Sequence, residues 1–249
     1  MEEVYEILDN LPISDLEVND YAAPLLNAAV VTYEKEQYQF SYFAVHLIFM
    51  TYIYLSVWKI GKFHKDKYED SLLFVRPYKG RVVNFKEIKS VFEYSHLPEK
   101  DIFEFFSLIG VDNSYIKGIK RLIERRNNMA HASGSIEINT EEKFNTAIEE
   151  LISITRNLQS KMNLTIRNWY CEELLSYAKD GVKQGYSKIT DYISEEYIQN
   201  FSFSKEDLKT CYEFGLSKFS GTDYKLTKNQ IKEIRKFHNH LKDIFNELD

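Results

Sequence analysis

The feature that most restricts how this chain can fold is the run from Phe40 to Trp58, which is apolar or aromatic except at Ser41, His46, Thr51 and Ser56. A stretch of this length is just enough to span a bilayer. Three properties favour instead a helix enclosed on all sides at the centre of a helical bundle. His46 lies near one end, Tyr and Phe are unusually frequent for a span, and no second stretch of this kind occurs. A membrane-associated effector using residues 40–58 is the competing reading, and it predicts sedimentation with membranes.

The rest of the composition suits a globular protein. A chain of 249 residues with 44% hydrophobic content can bury one sizeable core or two small ones without disulfides or a structural metal. Cys171 and Cys211 stand far apart with no CxxC pattern, so both read as reduced packing residues and thiolate metal chemistry is not expected. The acidic start, Met1-Glu-Glu-Val-Tyr-Glu, lacks the basic and apolar regions of an export signal, so the expected location is cytoplasmic. A net charge of -6 and a pI near 5.6 argue against charge-driven coating of nucleic acid, but leave room for a local basic site.

Four prolines and nine glycines leave few places where a helix must stop, so the expected class is all-α. Residues 24–36, opened by Pro24 at a first turn, and 38–64 are expected to form a helical hairpin. Residues 73–85, with β-branched side chains around Pro77 and Gly80, suit a turn, a short β-ribbon or a loop. A short helix is expected from Phe85 to Phe92, and another from Pro98 to the stop at Gly110. Asp112 or Asn113 can cap the next helix, which is expected to stop near Ala132 to Ser135. A long helix follows from Thr140, with Phe144, Ile148, Leu151, Thr155, Leu158, Met162, Thr165 and Trp169 at alternating spacings of four and three. That stripe covers either the chain's own bundle or part of a dimer seam. From about residue 166 the texture changes to short amphipathic pieces, including 169–178, with helix starts at Ser204 and at the capping box Thr227-Lys-Asn-Gln. The expected division is therefore 1–165 and a helical extension, 166–249.

The fragment Ile123-Glu-Arg-Arg-Asn-Asn-Met-Ala-His-Ala-Ser-Gly carries the chemistry. An Arg is followed by Asn and, five positions on, by His, where an amphipathic helix gives way to Ser and Gly. The Arg-to-His spacing alone has a chance frequency of roughly 0.2 in a chain of this composition, and requiring Asn after the Arg lowers it to roughly 0.01. This segment resembles the HEPN superfamily signature, and the resemblance extends over approximately residues 20–165, with only the motif sharp. Carried over, it puts the family's arginine on Arg126, the polar neighbour on Asn127 and the histidine on His131, with Arg125 as the register alternative.

The resemblance implies a HEPN-like helical bundle and a metal-independent endoribonuclease with no cofactor, pairing as a homodimer through the motif helices. It further implies a toxin or antiviral defence effector that cuts RNA, such as tRNA, under the control of an antitoxin or regulatory protein. Five residues on an unbroken α-helix turn through about 500°, so Arg126 and His131 share one substrate atom only if the helix ends between them or two chains meet. His131 would take the 2′-hydroxyl proton or protonate the leaving 5′-oxygen, and Arg126 would hold the phosphate, giving a 2′,3′-cyclic phosphate and a 5′-hydroxyl. DNA lacks the 2′-hydroxyl and would not be cut. Arg125, Arg121, Lys120, Lys117 and Asn128 are the expected substrate-binding side chains, supplying a positive surface. His46 reads as a hydrogen-bonded core histidine, and His64, His96, His238 and His240 as surface residues; no metal site is assigned. The alternative function is a non-catalytic helical adaptor whose motif is structural and whose extension binds a protein partner.

Overall fold

The computed structural model describes residues 1–249 apart from 79–82, 131–135, 183–184, 221–223 and 249. The chain is all-α, and no strand occurs among the described residues. It divides into two compact units, Met1–Leu11 with Leu16–Met162, and Pro12–Asp15 with Asn163–Asp249.

In the first unit the apolar run becomes α3 (Tyr38–Phe63), buried on nearly every face. By length and composition it is apolar enough to cross a membrane, yet 83% of its most apolar window is buried inside the fold. Val45, Ile48, Ile53, Leu55, Val57 and Ile60 are fully enclosed, each worth about 1.5–3 kcal/mol of burial. The largest cover is α2 (Leu16–Glu34), antiparallel to it across a short turn in which Glu36 takes a left-handed φ of 59°. Small residues permit the approach: Ala22 and Ala29 are buried, and the Ser41 hydroxyl donates to the Ala29 carbonyl at 2.8 Å. The expected hairpin therefore forms, but Pro24 lies inside α2 rather than at its first turn. Proline costs the carbonyl four residues back its donor; Asp20 and Pro24 are both exposed, so solvent is available to that carbonyl.

Around this hairpin lie α1 (Tyr5–Leu8), α4 (Lys65–Ser71), α5 (Glu99–Ile102), α6 (Asn113–Ala130) and the start of α7 (Glu141–Asp180). The segment expected as a turn, ribbon or loop at 73–85 contains the end of a 3₁₀ turn, Leu72–Phe74, and irregular chain at 75–78 and 83–84; residues 79–82 lie outside the described ones. The helix expected from Phe85 to Phe92 is not formed as such. Residues 85–90 are turn and bend, and Ser90 and Glu93 make a capping box that starts a 3₁₀ helix, Val91–His96. Tyr68 fixes this region by donating to the Phe85 carbonyl at 3.1 Å and meeting the Tyr94 hydroxyl at 2.7 Å. After α5 the chain tightens into a 3₁₀ helix, Phe103–Ile109, which Gly110 ends at φ 79°, as the glycine position suggested. The α6 start is also as expected, with Asp112 Oδ1 accepting from the Ser114 N–H at 2.7 Å.

The long helix α7 buries Phe144, Ile148, Leu151, Thr155, Leu158 and Met162 within the first unit's own core. From Met162 the buried phase moves by steps of four to Ile166, Tyr170 and Leu174, leaving Thr165 and Trp169 half-buried. The piece expected at 169–178 is thus part of α7, and the boundary between the units falls inside a helix at Met162.

The second unit holds the end of α7, α8 (Ile189–Tyr192) passing into a π-helical stretch Ile193–Asn200, α9 (Lys205–Tyr212) and α10 (Lys228–Glu247). Both expected starts are present as capping boxes, Ser204 with Asp207 and Thr227 with Gln230. Its core is aromatic, with Tyr170, Tyr192, Tyr197, Phe203 and Phe237 buried together, and Pro12 bridges Ser204. Cys171 and Cys211 are free and buried.

If α3 is the core of a soluble-type bundle, Leu55→Ala lowers unfolding free energy by about 2–5 kcal/mol. Loss of the exposed cap in Thr227→Ala costs only about 1 kcal/mol. Urea titration of both variants checks the contrast, and equal small effects would argue against the enclosed helix.

Candidate functional site

The motif arginines occupy the last turns of α6, whose buried face is Ile116, Ile119, Leu122, Ile123 and Met129. That face fixes the helix rotation. Successive residues on a helix diverge by about 100°, so Arg125 and Arg126 leave α6 on opposite sides of the Met129 row. Arg126 turns toward α5 and pairs with Glu99, both side chains being 23% exposed. Arg125 turns toward α7 and pairs with Glu150. The Nε atoms of both arginines are buried with no hydrogen-bond partner among the described residues.

Beneath the arginines lie three residues of α3. Burial pushes the Tyr42 hydroxyl up to about 12 against the opposing charge of Arg125, and raises Tyr54 further, with Glu99 adding to it. His46 is buried between the rings of Tyr42 and Phe49, with centroids at 6.0 and 6.2 Å. The expectation of a core histidine holds, but among the described residues neither ring nitrogen has the hydrogen-bond partner that was expected. Burial, then the charge of Arg126, depresses its pKa to about 3. The ring is therefore neutral at physiological pH and in this arrangement offers no acid catalysis.

The remaining predicted residues fall into two groups. Asn127, Asn128, Lys117 and Arg121 are exposed, whereas Lys120 is half-buried and paired with Glu104. Of the four cations expected to supply a positive surface, Lys120 and Arg125 are charge-balanced inside the unit, and only Lys117 and Arg121 stand without a carboxylate partner among the described residues. Two open hollows flank these side chains. One, of about 570 Å³, is lined by Tyr115, Arg121, Glu150 and Ser153; the other, of about 490 Å³, by Arg125, Glu137, Thr140 and Lys143. His131, the expected catalytic base, lies outside the described residues, as do Ala132 to Ser135.

Glu99, Glu150 and Tyr42 are the neighbours that sequence reasoning missed. Glu99 carried one legible sign, its place in the first turn after Pro98, but nothing local ties it to Arg126. Away from the motif, His238 is half-buried with Nδ1 3.0 Å from the Tyr170 hydroxyl, rather than a free surface residue. No protein-family profile, characterised protein or solved structure matches this chain.

Two stability measurements follow. His46 is neutral when folded and protonates near its ordinary pKa when unfolded, so the stability it permits is present above about pH 6.5 and is lost as pH falls toward 3. His46→Leu is expected to unfold at lower pH than the wild type, and identical acid transitions would contradict this. Glu99→Ala leaves the Arg126 guanidinium half-buried and uncompensated, costing about 1–3 kcal/mol; Glu99→Ala with Arg126→Met is expected to recover most of it in the same urea titration.

Proposed function

We propose that this chain is a metal-independent endoribonuclease of the HEPN type, in which Arg126, Asn127 and His131 act on an RNA phosphodiester. The observation that supports the reading is the position of Arg126 and Asn127 in the last described turns of an amphipathic bundle helix, α6 (Asn113–Ala130), with His131 next in the sequence. An imidazole titrating near neutrality takes the 2′-hydroxyl proton and returns one to the leaving 5′-oxygen. A guanidinium that stays charged holds the phosphate as its equatorial oxygens gain charge. Glu99 contacts Nη2 of Arg126. The guanidinium fork has five N–H donors, so a phosphate either shares Arg126 with Glu99 or displaces it, while Asn127 is exposed and free to meet the same phosphate. A homodimer joining two motif helices would supply two arginines and two histidines to one cleft. On this reading the protein acts as a toxin or defence effector held in check by an antitoxin or another regulatory protein.

The Arg126–Glu99 pair itself favours the second reading, a helical adaptor in which the motif arginine is structural. One assay separates them. Purified protein with total RNA in EDTA is expected to leave 2′,3′-cyclic phosphate ends, and Arg126→Ala and His131→Ala each to lower the rate by about 100-fold or more. Cleavage persisting in both variants removes the site assignment. An intact RNA pool with the wild type under activating conditions favours the adaptor, and a strict monomer by light scattering rules out the shared cleft.

A further inference from the structure

We infer that the exposed face of α10 is a binding surface for the phosphate backbone of RNA. α10 buries Ile234, Phe237, Leu241 and Phe245 in the second unit. At 100° per residue the opposite face carries Lys228, Lys232, Lys236 and Asn239 and, further on, Asp243 and Asn246, with Arg235 and Lys242 along one flank. All five cations are exposed. They contrast with the cations of α6, where Lys120, Arg125 and Arg126 are each held by a carboxylate. On α10, among the described residues, Lys228, Lys232, Arg235 and Lys236 have no ion-pair partner, and Lys242 leans over the Tyr212 ring at 5.3 Å. Glu233 points away, toward Tyr177. Asp243 and Glu247 stand near the C-terminal end, so the free positive charge is concentrated from Lys228 to Lys236. In a chain of net charge -6 this is a local field of the opposite sign.

The chemistry of the stripe selects the partner. Its apolar side is already committed to the unit's core, so α10 has no apolar face left to insert into a bilayer, as a surface-bound amphipathic helix requires. From Lys228 to Lys236 the cationic side presents Lys and Arg without a large apolar side chain among them, whereas a protein interface is built around an apolar or aromatic centre. A solvated row of phosphates needs only charge and hydrogen-bond donors. From Lys228 to Lys236 the stripe is about 12 Å long, a reach on the order of three or four phosphates of one strand. The choice of RNA rests on the proposed ribonuclease reading; the phosphate-binding surface stands on α10 alone. It would hold RNA through contacts separate from the cleaving residues and without base preference.

The test is equilibrium binding of a fluorescein-labelled 30-nucleotide RNA hairpin to the full chain, by anisotropy between 50 and 200 mM KCl. The Arg126→Ala background keeps the RNA intact. Lys232→Glu with Lys236→Glu is expected to weaken binding by about tenfold or more and to make the salt dependence shallower by about two in log–log slope. Lys232→Arg with Lys236→Arg, which keeps the charge and the fold, is expected to bind as the parent does. Unchanged affinity and slope in the Glu pair, equal competition by polyglutamate, or preferential capture by phosphatidylserine vesicles would overturn the inference. α10-dependent binding with no cleavage by the wild type would sink the nuclease reading alone, and Arg126-dependent cleavage with α10-independent binding would sink this one alone.

Discussion

A helix that is apolar around its whole circumference has no stable place at the surface of a water-filled compartment, and α3 makes every other element of the first unit answer to that condition. α2 covers one side through small residues, and the aromatic rings of Phe103, Phe105 and Phe106 are buried in the turns after α5. The Tyr52 hydroxyl reaches the Thr155 carbonyl of α7 at 3.3 Å. Few polar atoms survive in such an environment, and those that do are conspicuous. His46 is kept as a neutral ring whose nitrogens have no partner among the described residues, a condition that costs about 1–3 kcal/mol for an unsatisfied buried polar group.

The motif helix is laid against this core, which explains how its charges are handled. A guanidinium brought next to buried rings is tolerated only with a carboxylate at hand. Glu99 and Glu150 fill that role for the two arginines, from opposite sides of α6. An arginine so held is pre-oriented and its charge partly balanced, two properties that pull in opposite directions for phosphate binding. On α10 the situation is reversed. The cations face solvent, the carboxylate that follows Lys232 turns inward, and the positive charge is left free.

Local chemistry was legible at most places where a side chain acts on backbone within its own turn, the Ser90–Glu93 capping box being the exception. The caps at Asp112, Ser204 and Thr227 and the stop at Gly110 needed only neighbours a few residues away. Most other readings failed where the deciding partner was distant. Pro24 resembled a first-turn proline because nothing in its own segment shows that Leu16–Ala23 continues the helix. Phe85 to Phe92 has helical texture, but the bond from Tyr68 to the Phe85 carbonyl and the Ser90 cap favour a turn before the 3₁₀ helix. The stripe of α7 was readable as far as Met162; beyond it, alternation of four and three would have buried Thr165 and Trp169, whereas the core of the second unit takes Ile166 and Tyr170.

The sequence by itself determined the helical class, the enclosed α3, the caps and the order of Arg126, Asn127 and His131, because each depends on periodicity or on contacts within a turn. Only the tertiary structure decided that Arg126 faces Glu99, that Arg125 faces Glu150, that His46 has no hydrogen-bond partner among the described residues and that one long helix serves both units. These depend on which surfaces meet across 25 residues or more of chain. Helical periodicity fixes the side of the cylinder on which a side chain emerges, but not what stands opposite.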